Sequence, residues 1–94
     1  MHTIKITKYE FDPAKSATNL EKHGVSFDAV EDFEWENAMV EEDNRNSYGE
    51  KRYIAYGPIR DRLYVLVFTP RADRFRIISL RKANRREQLK RGKP

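Results

Sequence analysis

Three strand-like stretches, Arg52 to Gly57, Leu63 to Thr69 and Arg74 to Leu80, crowd the second half of the chain. Between them stand Pro58-Ile59-Arg60-Asp61 and Pro70-Arg71-Ala72-Asp73, both of turn composition. Connectors this short cannot carry the backbone across to a parallel neighbour, so consecutive stretches are expected to pair antiparallel. A meander is therefore the frame that the rest of the chain must fit.

Upstream, Ile4 and Ile6, then Tyr9 and Phe11, alternate with a phase shift between the pairs, as in a short strand with a bulge or a late start. Asp12-Pro13 marks a sharp helix start, with Asp12 as N-cap and Pro13 at the first helical position. That helix is expected from Pro13 to about His23, closed by Gly24 in a left-handed conformation. Ala14, Ala17 and Leu20 would form its narrow apolar stripe, and Lys15, Asn19, Lys22 and His23 one polar face. A second helix is expected from Ser26, with Phe27, Val30 and Phe33 as its apolar side, ending near Trp35 or Glu36. Met39 to Glu42 then reads as a strand and Asp43 to Gly49 as a polar turn. Asn84-Arg85-Arg86-Glu87 opens a basic C-terminal helix with a capping-box pattern that frays by Gly92. The expected fold is α+β: an antiparallel sheet of four to five strands, two helices in the N-terminal half and one at the C-terminus. One domain is expected over residues 1–94, with the helices mainly on one face and the other face open to a partner.

Composition narrows the chemistry. The absence of Cys excludes a disulfide framework, a Cys-bearing zinc site and thiol catalysis. No apolar run approaches a membrane span and no secretory leader pattern opens the chain, so a cytoplasmic protein is expected. The net charge of +4 conceals a split: residues 26–50 carry net −8, and residues 51–94 carry net +11. The basic half points to a polyanion on one surface, although solvated charges also keep a small domain soluble.

Several residues of the expected sheet suit a phosphodiester. Arg76 and Arg81 lie in the last strand, where an arginine usually pairs with a carboxylate or a phosphate. Strict alternation places Phe75, Ile77, Ser79 and Arg81 on one face and Arg76, Ile78 and Leu80 on the other. Tyr56 shares a face with Arg52 and Ile54, and an aromatic ring beside a guanidinium suits a stacked base and its phosphate. The same residues also suit ordinary packing, with tyrosines at sheet edges and arginines lying over them. His23 is either a general acid or base, or a cation at the helix C-terminus. Lys22 either neutralises charge at phosphorus or is a solvated lysine. Glu41-Glu42-Asp43 could attract a divalent ion, but acidic runs are usually solvated, and no metal site or cofactor is expected. No P-loop or dinucleotide motif is present, and Ser79 has no His/Asp companion in sequence.

The chain closely resembles the BrnT family of bacterial type II toxins. The resemblance rests on Phe11-Asp12-Pro13-Ala14-Lys15, Asn19, Lys22-His23-Gly24-Val25 and Phe27, then Gly49-Glu50, Arg52, Gly57 and Val67-Phe68-Thr69. It ends on Arg76-Ile77-Ile78-Ser79-Leu80-Arg81-Lys82-Ala83 and Glu87, in the family order over nearly the whole chain. It implies a RelE-like ribonuclease that halts translation. The implied partner is a ribbon-helix-helix antitoxin of the BrnA kind, in an assembly that binds operator DNA through the antitoxin.

Residues and resemblance together suggest a metal-independent endoribonuclease in which the RNA 2′-OH is the nucleophile. Lys22, His23, Arg76 and Arg81 are the catalytic candidates, and Arg52, Tyr56, Lys82 and Arg85 the RNA-binding ones. Arg76 and Arg81 would clamp the scissile phosphate, and His23 or a tyrosine would move protons. Glu87 is either a base or the last member of the capping box. The rival readings are a non-catalytic nucleic-acid-binding or regulatory module, and a pure interaction protein.

Overall fold

The computed structural model describes residues 8–45 and 49–91. Ile4 and Ile6, part of the polar turn after Asp43, and Gly92 lie outside the described residues. The described elements run β1 (Tyr9–Glu10), α1 (Pro13–His23), two 3-10 helices (Phe27–Asp32 and Trp35–Asn37), β2 (Met39–Glu42), β3 (Tyr53–Ile59), β4 (Arg62–Arg71), β5 (Arg74–Lys82) and α2 (Arg85–Arg91).

The meander is present: β2, β3, β4 and β5 pair antiparallel in chain order. The sheet as a whole is mixed, in the order β1-β5-β4-β3-β2, because β1 joins β5 in parallel through Tyr9↔Phe75 and Glu10↔Arg76. This corrects the expected all-antiparallel sheet. A parallel pair needs a long crossover, and here the chain between β1 and β5 supplies it, so no local pattern announces the pairing. Both tight hairpins place a non-glycine residue in the left-handed region, Arg60 at φ 60° and Ala72 at φ 47°.

α1 starts and stops as its sequence dictates. The Asp12 carboxylate accepts from the Ala14 N–H at 2.8 Å, and Gly24, at φ 76°, donates its N–H to the Leu20 carbonyl at 2.8 Å. Its inward face is the reverse of the expected one, since Ser16 and Asn19 are buried while Leu20 is half exposed. Ser16 Oγ accepts from the Phe27 N–H at 2.9 Å. Asn19 donates to the carbonyls of Leu80 and Val25 at 2.7 and 2.8 Å and accepts from the Leu80 N–H at 3.4 Å. Among the described residues β1 pairs with Phe75 and Arg76 and no strand continues farther along β5, where Asn19 satisfies the backbone instead. α1 docks by hydrogen bonds rather than by an apolar stripe.

The expected second α-helix is instead the pair of 3-10 helices. Phe27, Val30 and Phe33 recur every three residues, which aligns side chains on a helix of three residues per turn. The Phe33 N–H returns to the Val30 carbonyl at 3.0 Å, and Phe33 then bridges to Ile59. Gly57 is required there: a Cβ on it would stand 2.7 Å from Phe33 Cζ and 2.8 Å from Ala38 Cβ.

The sheet has two buried sides. One packs Ala55, Ile59, Leu66, Phe68, Ile77 and Leu80 against Phe27, Val30 and Phe33. The other holds Ile54, Tyr56, Leu63, Val65, Val67 and Ala83. α2 lies on this second side, with the Arg91 guanidinium 4.1 Å from the centre of the Tyr56 ring. The helices therefore do not all share one face, as the sequence suggested, and the second face is partly covered by the chain's own C-terminal helix.

Candidate active site

A bulge in β5 shapes the candidate site. The β4–β5 register shifts between Val67 and Phe68, so Phe68 faces Ile77 while Val67 faces Ser79, leaving Ile78 as the extra residue. Strict alternation would separate Arg76 from Arg81. The bulge instead resets the phase. Arg76 faces Thr69, Ser79 faces Val67 and Arg81 faces Val65, all on the side that holds Ile54 and Tyr56. Leu80 turns inward on the opposite side, against Leu66 and Phe68. The two arginines thus share a face because the strand is irregular.

Each of them holds a carboxylate. Arg76 Nη1 lies 3.2 Å from Glu10 Oε2, across the parallel pair. Arg81 makes a two-pronged contact with Glu87, Nη1 to Oε1 at 2.8 Å and Nη2 to Oε2 at 2.9 Å. Glu87 also completes the capping box of α2: it accepts from the Asn84 N–H at 2.8 Å, while its own N–H donates to Asn84 Oδ1 at 2.8 Å. The Arg81 contact holds the Glu87 carboxyl below its ordinary range, and the same hydrogen bonds push Arg81 up against the opposing effect of burial. The Tyr56 side chain is close enough to Arg81 to add to that upward push.

Arg52 immediately precedes β3, in phase with Ile54 and Tyr56, and its carbonyl accepts from the Asp43 N–H at 2.8 Å. Arg85 opens α2 and is exposed. Lys82 follows Leu80 onto the other side of the sheet, opposite Tyr64, where it lines a cavity of about 510 Å³ with Asp32, Arg60 and Asp61. Lys22 and His23 close α1 and are exposed, and among the described residues neither makes an ion pair or side-chain hydrogen bond. The structure brings Arg76, Arg81 and Tyr56 onto one face and leaves Lys82 on the other.

Sequence reasoning passed over Glu10 and Arg91. Glu10 reaches Arg76 only through pairing with a strand 66 residues away, and nothing local signals it. Arg91, one helical turn after Glu87, instead reaches across to Glu41 and the Tyr56 ring, contacts that no local spacing signals. The acidic run is dispersed: Glu41 pairs with Arg91 at 3.2 Å, Glu42 with Lys51 at 3.7 Å and Asp43 with Arg45 at 2.8 Å.

A family model described as the ribonuclease toxin, BrnT, of type II toxin-antitoxin systems matches residues 11–87. The chain belongs to the BrnT family. No curated protein matches it. Membership makes it a ribonuclease toxin of a type II toxin-antitoxin system, with RNA as substrate and an antitoxin as partner. Among the described residues no helix is long and apolar enough to cross a membrane. The BrnT match begins at Phe11 and ends at Glu87, so it takes in both Arg76 and Arg81 and the carboxylate that holds Arg81.

Proposed function

We propose that this BrnT-family chain is a metal-independent endoribonuclease whose reaction centres on the β5 face. The observation that carries the reading is the bulge, which sets Arg76, Ser79 and Arg81 beside Tyr56 on one side of the sheet. In this mechanism the RNA 2′-OH attacks its own 3′ phosphorus, and the bond to the departing 5′ oxygen breaks. A 2′,3′-cyclic phosphate and a 5′-OH remain. Arg76 and Arg81 neutralise the charge that grows on the phosphoryl oxygens, which take the place of the carboxylates of Glu10 and Glu87. Tyr56 and Glu87 share that face, and one must take the 2′-OH proton while another group returns one to the leaving oxygen. Lys22 and His23 are assigned charge neutralisation and proton transfer from the end of α1, with Arg52 and Arg85 as flanking RNA contacts, whereas Lys82 lies on the opposite side of the sheet.

The wider reading follows the family. One RelE-like domain would act in the cytoplasm, inhibit translation by cutting RNA, and be neutralised by a ribbon-helix-helix antitoxin that carries the operator contact. The test is direct: purified chain is incubated with RNA in EDTA, and the product ends are analysed. Cyclic phosphate ends are expected, with cleavage lost in Arg76→Ala and Arg81→Ala while much of the binding remains. RNA left intact by folded protein overturns the reading. Binding without scission leaves the second reading, a non-catalytic nucleic-acid module.

A further inference from the structure

We propose that Arg71 and Arg74, gathered with the already assigned Arg76 around Glu10 at the β4–β5 hairpin, form a second phosphate subsite that grips the RNA strand away from the cleaved bond. The inference rests on RNA being the substrate and extends the β5 face beyond the residues assigned above. Arg76 Nη1 stands 3.2 Å from the Glu10 carboxylate, Arg74 Nε 3.9 Å and Arg71 Nη1 4.0 Å. All three converge on one carboxylate from the same side of the sheet. Arg71 and Arg74 are direct cross-strand partners, and Arg76 faces Thr69 two positions along.

Fold stability does not account for this arrangement. Like charges placed directly opposite on neighbouring strands are destabilising, and exposed ion pairs return at most about 1 kcal/mol each. Arg71 also reaches Glu50 at 3.4 Å and Arg74 reaches Asp73 at 3.3 Å, but Asp73 is shared with Lys8 at 2.8 Å. The guanidinium side chains remain 31% to 47% exposed, so a ligand can reach them without unfolding anything.

The bulge supplies the second argument. By returning Arg81 to the face of Arg74 and Arg76, it lines up guanidinium groups along β5 for roughly 20 Å at about 3.3 Å per residue. That length spans several nucleotides of a single strand. Arginine suits the task because its planar fork meets two phosphate oxygens at once. Glu10 is then the internal counter-ion that keeps the cluster assembled until a phosphate replaces it.

The test measures binding of a labelled single-stranded RNA oligonucleotide, 2′-O-methylated so that it cannot be cut, over a range of salt concentrations. For the double variant Arg71→Gln/Arg74→Gln, affinity is expected to fall about tenfold. The slope of log affinity against log salt should shrink by about 0.7 for each phosphate contact removed. For Glu10→Gln, which removes the competing carboxylate, binding is expected to tighten several-fold. Wild-type affinity and slope in the double variant, or no tightening in Glu10→Gln, overturns the subsite. So does a double variant that loses only the antitoxin, which would make the cluster a protein contact. Wild-type chain that binds the oligonucleotide with this pattern but cuts no RNA removes the cleavage reading and leaves the subsite standing.

Discussion

Arg81 and Glu87 meet through two parallel hydrogen bonds of 2.8 and 2.9 Å, which tie the last strand to the first turn of the last helix. One carboxylate therefore does two jobs: it neutralises the arginine assigned to the scissile phosphate and closes the capping box of α2. In the proposed mechanism an RNA phosphate on Arg81 takes the place of its two bonds to Glu87, while the Asn84 side chain still caps α2 through the Glu87 N–H. In that mechanism substrate and the Glu87 contact that ties α2 to β5 share one guanidinium.

The first expectation concerns acid. The Arg81 hydrogen bonds lower the Glu87 pKa in the folded state, so the pair's stabilisation is present above the unfolded carboxyl value of about 4.3. It fades as pH falls through the lower folded value. The raised Arg81 value works in the opposite sense and matters only at extreme alkaline pH. Amide exchange across α2, followed from about pH 6 to about pH 3, should show protection lost at the acid end before the sheet opens. Protection that is constant down to global unfolding contradicts the assignment.

Glu87→Gln separates the two jobs. Glutamine also completes a capping box, so α2 should persist, with a loss of about 1 kcal/mol or less. The negative charge opposite Arg81 is gone, however, and RNA should bind several-fold more tightly than to wild type. Circular dichroism checks the helix, and anisotropy with an uncleavable RNA checks the affinity. Tighter binding with unchanged cleavage makes Glu87 a counter-ion; tighter binding with cleavage abolished makes it the base.

The meander and α1 were legible because their signals are local. Turn residues separate β3, β4 and β5, and Asp12, Pro13 and Gly24 bound α1. The shared arginine face was not read, because strict alternation was carried through Ile77-Ile78, two adjacent apolar residues in a strand that alternates elsewhere. That break was the trace of the bulge. The 3-10 segment left its own trace in the spacing of Phe27, Val30 and Phe33, which also fits a helix of 3.6 residues per turn. Glu10 belongs to a different class: its partner is set by a parallel pairing that only the assembled sheet creates.

Gly57 offers a test of packing behind the site. Its missing side chain admits the Phe33 ring and Ala38, and a methyl group there would approach both to under 3 Å. Gly57→Ala is expected to cost about 1–3 kcal/mol through overpacking. For a chain of this size that lowers the melting temperature by roughly 4–8 °C per kcal/mol. Thermal unfolding without RNA reads the effect, and an unchanged melting temperature contradicts the close approach.

Asn19 tests how α1 is attached. Its amide serves the Val25 carbonyl and both the N–H and the carbonyl of Leu80, where among the described residues β5 has no further strand to pair with. Asn19→Ala strands the two buried Leu80 groups, and at about 1–3 kcal/mol for each the loss should reach about 2–6 kcal/mol. The telling comparison is Asn19→Leu. If α1 were held by apolar contact, leucine at this buried position would restore stability. If the amide substitutes for a missing strand, leucine is no better than alanine, because it offers neither donor nor acceptor to the Leu80 backbone. Chemical denaturation of the two variants decides between these. Equal, large losses are expected, together with early exchange of the Leu80 amide.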